Sequence, residues 1–250
     1  MANRAAKSAL RSNETSRRTW TLTSLAVRIA HDLGLHREEY GRNYAPPYQP
    51  FAREMRRRLW WQICNLDRHA SVDRGSDPII TPKSFSTQLP LHVNDEDLIP
   101  GDLCGVRSRD EYTDFTISLV IHEVFDTERR LNYVLAGESD HSQETIGEPW
   151  DLRRYLGLEC QQRIQHKYLR HCDIAIPIQR YTIVLADAVF AMMRLWIYRP
   201  LQRPRYCPAI ATMPHSWILH VSLEVLEKTN NVLVDPSARR FRWLTTIWIS

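Results

Sequence analysis

Residues 51–71 read Phe-Ala-Arg-Glu-Met-Arg-Arg-Arg-Leu-Trp-Trp-Gln-Ile-Cys-Asn-Leu-Asp-Arg-His-Ala-Ser. A break through Gly75 and Pro78 follows, then Gln88-Leu-Pro-Leu91 and Asn94-Asp-Glu-Asp-Leu98. Met55, Leu59, Ile63, Leu66 and Ala70 recur at steps of four and three, so the spacing predicts a helix with these residues on one face. Trp60 and Trp61 widen that face. Glu54 and Arg58 stand four apart and are expected to pair on the outer side. Gly75 and Pro78 end the helix. The stretch is also unusually polar for a core helix, with Arg56, Arg57, Arg58, Asp67 and Arg68 all close to the apolar positions.

Outward from this stretch the helical pattern continues. Leu22, Leu25, Ala26, Ile29, Ala30 and Leu33 mark the apolar face of a helix over about Trp20–Leu33, capped by Ser16 or Thr19. Gly34 is placed where a positive φ is needed just past a helix end. Residues 1–18 are basic and Ser-rich and are expected to form a flexible basic arm. The faint likeness of this arm to a mitochondrial transit peptide is the weaker reading. A Pro-rich loop is expected from Asn43 to Pro50, and an irregular crossing from Gly75 to Gly105.

Downstream, helices are expected over about Tyr112–Ala136 (amphipathic), Leu152–Ile174, Tyr181–Tyr198 and Trp217–Val234, with a last one starting near Ala238. Leu156, Leu158, Ile164, Tyr168 and Leu169 are the apolar positions of the second of these. Tyr181–Tyr198 is apolar nearly all round, including the Met192, Met193 and Trp196 stripe, which places it inside a bundle. Pro177 is expected to break the helix before it. Gly137–Pro149 is expected to be a loop, and Trp243–Ser250 ends the chain in an apolar run.

Composition agrees with an all-α fold, an irregular multi-helix bundle with a Pro-rich crossing loop. Of 250 residues, 43% are apolar and 25% charged, as in ordinary globular chains, while only 8 are Gly. A net charge of +4 permits weak attraction to polyanions and demands no nucleic acid partner. Cys64, Cys104, Cys160, Cys172 and Cys207 are scattered, so no Cys-x-x-Cys pair is present and reduced thiols are expected. No apolar run reaches membrane-span length.

The order Arg53-Glu-Met-Arg-Arg-Arg-Leu-Trp-Trp61, Asp67-Arg68, Ser71, a proline loop, Leu89-Pro90 and Asn94-Asp-Glu-Asp-Leu98 resembles the fungal-specific transcription factor domain. This is the middle homology region of the zinc binuclear-cluster transcription factors. Thr19-Trp20 and Leu25-Ala-Val-Arg-Ile-Ala-His-Asp-Leu-Gly-Leu-His-Arg37 are similar to the element that precedes this signature, and Arg199-Pro200 to one that closes an inner helix. The resemblance is specific over about Trp20–Leu98 and looser beyond.

It implies a regulatory, non-catalytic domain over residues 19–250, incomplete at both ends, from a nuclear regulator of RNA polymerase II transcription of a metabolic gene set. Arg56, Arg57, Arg58, Trp60, Trp61, Asp67 and Arg68 are the structural signature. The resemblance implies no cofactor in this chain, since family members bind zinc through an N-terminal cysteine cluster that the chain lacks. It also implies no sequence-specific DNA binding by this chain alone. A homodimer, other regulator subunits and a small-molecule effector are partners it allows, and a membrane is not.

Arg56, Arg57 and Arg58 cannot all face one phosphate, because successive helical residues turn by about 100°; a buried pairing of at least one Arg and of Asp67 with other helices is expected instead. Asp95, Glu96 and Asp97 suggest the metal cluster of an all-α lyase acting on a diphosphate, but a helix cap at Asn94 or Asp95 is simpler. His31, His36, His69, His92, His166 and His171 lack ligand spacing. Ser71, Ser84 and Ser86 lack a nucleophile-elbow context.

Overall fold

The computed structural model describes residues 2–39, 50–102, 106–134, 149–198 and 215–241. Among them are six α-helices and no strand: α1 (Ala2–Asp32), α2 (Pro50–Arg74), α3 (Thr116–Val134), α4 (Pro149–Lys167), α5 (Pro177–Tyr198) and α6 (His215–Val234). Short 3₁₀ turns cover Asp95–Asp97, Leu169–His171 and Pro236–Arg240. The chain divides into two compact units, residues 1–108 and 109–250. The expected loops at 43–49 and 137–148, Arg199-Pro200, Trp243–Ser250, Cys104 and Cys207 lie outside the described residues.

In the first unit, α1 begins at Ala2 rather than near Trp20, so residues expected as an arm continue the helix. Ala and Arg are the commonest residues there, and propagating an existing helix costs little once its nucleus is formed. Gly34 takes φ 64° just past the end of α1, and Gly75 takes φ 68° after α2. Both are positions where a side chain would be strained. α2 packs against α1. The core between them and the following loop is Val27, Ala30, Leu35, Trp60, Trp61, Ile63, Cys64 and Ile80.

The apolar faces expected for both helices are turned outward. On α2, Ile63 and Ala70 are buried, but Leu59 is 51% and Leu66 50% exposed, and Met55 is exposed as well. On α1, Ala30 is buried while Leu22, Leu25, Ile29 and Leu33 are exposed. The inward face of α2 instead carries Glu54, Arg57, Trp60, Cys64, Asn65, Asp67, Arg68 and Ser71. Periodicity finds a stripe of aliphatics, but burial follows the larger indoles and the polar groups that find partners in the loops.

The second unit has a larger aliphatic core drawn from α3, α4, α5 and α6. α5 supplies Tyr181, Leu185, Val189, Met193, Trp196 and Ile197. Pro177 opens α5 rather than breaking a helix, the position where its missing N–H is least costly. Expected to be amphipathic, α3 is buried without interruption from Leu119 to Arg129. Two of its buried acidic residues are paired: Glu123 accepts from Tyr168 Oη at 2.8 Å and from Arg163 Nε, and Asp126 from Arg129 Nη1 at 3.3 Å. On α4, Leu158 is exposed, contrary to expectation, while Ile164 is fully buried. Gly157 lets α4 approach α5, since a Cβ there would meet Ile197 Cδ1. The buried Arg153 donates to the backbone carbonyls of Leu131, Trp196 and Ile197, tying the C-terminal turns of α3 and α5 together.

Candidate functional site

The signature residues converge on the first unit, where α2 meets the end of α1 and the crossing loop. The three consecutive arginines reach three different partners. Arg56 Nη2 donates to the carbonyls of Leu33 at 3.2 Å and Gly34 at 2.9 Å, satisfying acceptors that a helix end leaves open. Arg57 Nε donates to Glu38 Oε1 at 3.0 Å and Oε2 at 3.2 Å, and its Nη2 to Gln88 Oε1 at 2.8 Å. Glu38 Oε2 also accepts from Gln88 N at 3.0 Å, which closes a ring of charge-assisted bonds joining the two segments that flank α2. Arg58 bonds Glu54 Oε1 at 3.1 Å and Asp95 Oδ1 at 2.6 Å.

Glu54 was expected on the outer side, but it is 1% exposed. Its two carboxylate oxygens accept the Leu91 N–H at 3.1 Å each, so α2 holds the Leu-Pro-Leu segment by its backbone. Burial raises the pKa of Glu54, opposed by the Leu91 N–H and by Arg58 and Arg57. Trp60 is fully buried among the rings of His31, His36 and Phe85, and Trp61 Nε1 donates to Gln88 O at 2.9 Å. Asp67 is buried, and its carboxylate holds loop backbone: Oδ1 accepts from Ile79 N at 3.2 Å and Oδ2 from Ile80 N at 2.8 Å. A carboxylate can hold two successive N–H groups this way because the Pro78 turn brings them to the same side. Arg68 is buried at 8% exposure.

The acidic run is a cap. Asp97 Oδ2 accepts the Asn94 N–H at 2.9 Å, and Asp95 faces Arg58. Among the described residues no group of three or more His, Cys, Asp or Glu is placed to hold a metal ion. No helix of the described residues is long and apolar enough to cross a membrane. His31 and His36 stack with centroids 4.2 Å apart, and burial, His31 and Arg37 lower the pKa of His36. His69 is pushed down to about 4 by burial and then by Arg68. Glu38 and Gln88, which complete the polar frame, carried no periodic signal, since both lie in irregular segments. The one hint to Glu54 was its spacing from Arg58, and that hint did not tell the inner side from the outer.

In the second unit a cleft of about 360 Å³ lies between α5, α6 and the final 3₁₀ turn. Val184, Asp187, Lys228, Asn231, Val234, Asp235 and Pro236 line it. Its charges already have partners, Lys228 with Asp187 at 3.4 Å and Asp235 with Arg180 at 2.9 Å.

Residues 9–115 match the fungal specific transcription factor domain, and the chain belongs to that family. It is similar to the C6 finger domain transcription factor adaR of Aspergillus niger, 31% identical over 96% of this chain and 32% of that protein. It is also similar to nscR of Trichophyton tonsurans, another C6 finger domain transcription factor, 34% identical over 96% of this chain and 32% of that one. A third, hasF of Aspergillus fumigatus, is 32% identical over 90% of this chain and 32% of its own length. The chain thus spans about a third of the length of the curated relatives it matches. No solved structure matches.

Proposed function

We propose that this chain is the regulatory, non-catalytic part of a fungal transcription regulator that acts in the nucleus on RNA polymerase II transcription of a metabolic gene set. The observation that carries the reading is the use made of the signature. Arg56, Trp61 and Asp67 are engaged with a helix end and loop backbone, and Arg57 and Arg58 with acidic and amide side chains of the flanking segments and of α2 itself, which is the work of a scaffold. The relatives named as C6 finger transcription factors match over nearly the whole chain and support a regulator, not the diphosphate lyase. Zinc and base recognition belong to a cysteine-rich module distinct from these residues, because zinc needs ligands at short spacing and base readout needs an element free to enter a groove.

Two measurements test this. The purified chain is expected to show only salt-sensitive, sequence-blind attraction to DNA and no stoichiometric zinc after dialysis. Fused to an unrelated DNA-binding domain in a fungal reporter strain, it is expected to change reporter transcription. Tight preference for one DNA sequence over random DNA, retained zinc, or a silent fusion would each contradict the assignment. The α5–α6 cleft is the place in the described residues to look for a small-molecule effector, since its volume falls within the usual range for small ligands.

A further inference from the structure

We infer that the cleft between α5 and α6 binds a free α-amino acid with an aliphatic side chain; its consequence in the cell rests on the regulatory reading above. The cleft offers about 360 Å³, within the range that holds small ligands. Its charged groups differ in how far they are committed. Asp235 is closed off, since Oδ2 accepts from Arg180 Nη2 at 2.9 Å and Oδ1 from Ser237 N at 2.8 Å. Asp187 on α5 and Lys228 on α6 are open. They meet at 3.4 Å, with side chains 53% and 35% exposed. Such a long, solvated pair contributes little to stability. It also leaves most donors of the ammonium and most acceptors of the carboxylate to water. Asn231 stands three residues after Lys228, so both side chains line the same wall. The Asn231 amide makes no hydrogen bond within the described residues. Val184, Val234 and Pro236 supply the apolar part of the lining.

These groups select among ligands. A molecule that carries only a carboxylate suits Lys228 and Asn231 but is repelled by Asp187. One that carries only an ammonium suits Asp187 and is repelled by Lys228. An uncharged molecule takes water from both charges and returns nothing for it. A zwitterion satisfies both, and the 3.4 Å between the two heads requires its charges to lie close together. In an α-amino acid one carbon carries both. Its ammonium donates to Asp187, and its carboxylate accepts from Lys228 and from the Asn231 amide. The side chain is left to Val184, Val234 and Pro236, which favour an aliphatic one. A dipeptide or an ω-amino acid holds its charges too far apart for this pair. Binding exchanges one weak contact for two charge-assisted ones that bridge α5 and α6. The ligand therefore favours the arrangement in which these two helices are held together over any in which they part.

The test uses the full chain with free L-leucine as the probe. L-Leucine is expected to raise the melting temperature and to bind saturably in calorimetry, with a Kd of about 1 mM or tighter. N-acetyl-L-leucine lacks the amine charge, L-leucinamide the carboxylate, and γ-aminobutyrate the short spacing. Each is expected to bind at least about tenfold more weakly. Asp187→Asn and Lys228→Met alter a solvated pair, so both variants are expected to keep their circular dichroism while losing at least about tenfold in leucine affinity. The analogue series stays informative if either variant fails to fold. No saturation by about 20 mM leucine, equal binding of any one of the three analogues, or leucine binding that neither substitution changes would each overturn the inference. Its failure is distinct from that of the regulatory reading. A fusion that changes reporter transcription while the chain binds no leucine overturns only the ligand assignment. A silent fusion of a chain that does bind leucine overturns only the regulatory role.

Discussion

The two units solve the same problem, burying helices, by different means. In the second unit α5 brings Leu185, Val189, Met193 and Trp196 into an aliphatic core, and the buried charges of α3 are compensated within or beside that core. In the first unit the aliphatic core is small, and α2 turns Glu54, Arg57, Asp67 and Arg68 inward instead. Glu54 and Asp67 hold loops through backbone N–H groups and Arg57 through Glu38 and Gln88, in segments that offer polar groups and little apolar surface. An irregular crossing can be fixed in space only by satisfying its backbone, and long charged side chains on a rigid helix do that where aliphatic ones cannot. A polar frame specifies geometry more than it adds stability, so its failure mode is sharp: one missing partner leaves another buried and unpaired.

The largest effect is therefore expected in the frame. Glu54→Ala removes the acceptor of the Leu91 N–H and a partner of Arg58 and is expected to cost about 3–5 kcal/mol. Glu54→Gln, which keeps the shape and an acceptor, should cost markedly less. Hydrogen exchange of the α2 amides, resolved from those of α5, is the measurement. A loss under about 1 kcal/mol for Glu54→Ala, the range of an exposed pair, would break the contrast between the units. Next comes the aliphatic core: Leu185→Ala in α5 is expected to cost about 2–5 kcal/mol through lost transfer energy and the cavity left behind. Its exchange signature should appear first in α3 and α5, against which it packs.

The third prediction concerns pH. His122 on α3 is fully buried, and burial, followed by the nearby Arg129, pushes its pKa down to about 3. The folded chain thus keeps this imidazole neutral while the unfolded chain protonates it below about 6.5. Its contribution to stability is complete above pH 6.5 and is lost progressively as pH falls toward 3, reaching about 2 kcal/mol at pH 5. His122→Leu should flatten the pH dependence of α3 protection between 6.5 and 5, while leaving the dependence that His69 gives to α2. An unchanged slope in α3 would remove His122 from the account.

The smallest effect sharpens the comparison most. Leu59→Ala, which a core position would make costly at about 2–5 kcal/mol, is expected to change stability by no more than about 0.5 kcal/mol, because Leu59 faces outward. A thermal melt of this variant separates the two assignments of the α2 face directly.

The sequence by itself determined the helical class, the family signature and the positions of four of the six helices to within about four residues at each end. Those properties are written in local spacing, caps and turn residues. The inner placement of α5 was legible for the same reason: a helix apolar on every side has no outer face to choose. α3 shows the limit of that logic, because its polar residues read as a solvent face and are buried with partners on α4 and its own next turn. For α1 and α2 the choice of face was invisible, since Leu59 and Glu54 exchange roles once Leu91, Asp95 and Gln88 arrive from residues 31 to 37 positions away. A one-dimensional pattern weighs each side chain by its own transfer energy. Which face is buried depends also on whether a distant backbone supplies the missing hydrogen bonds, and only the tertiary structure brings that backbone into reach.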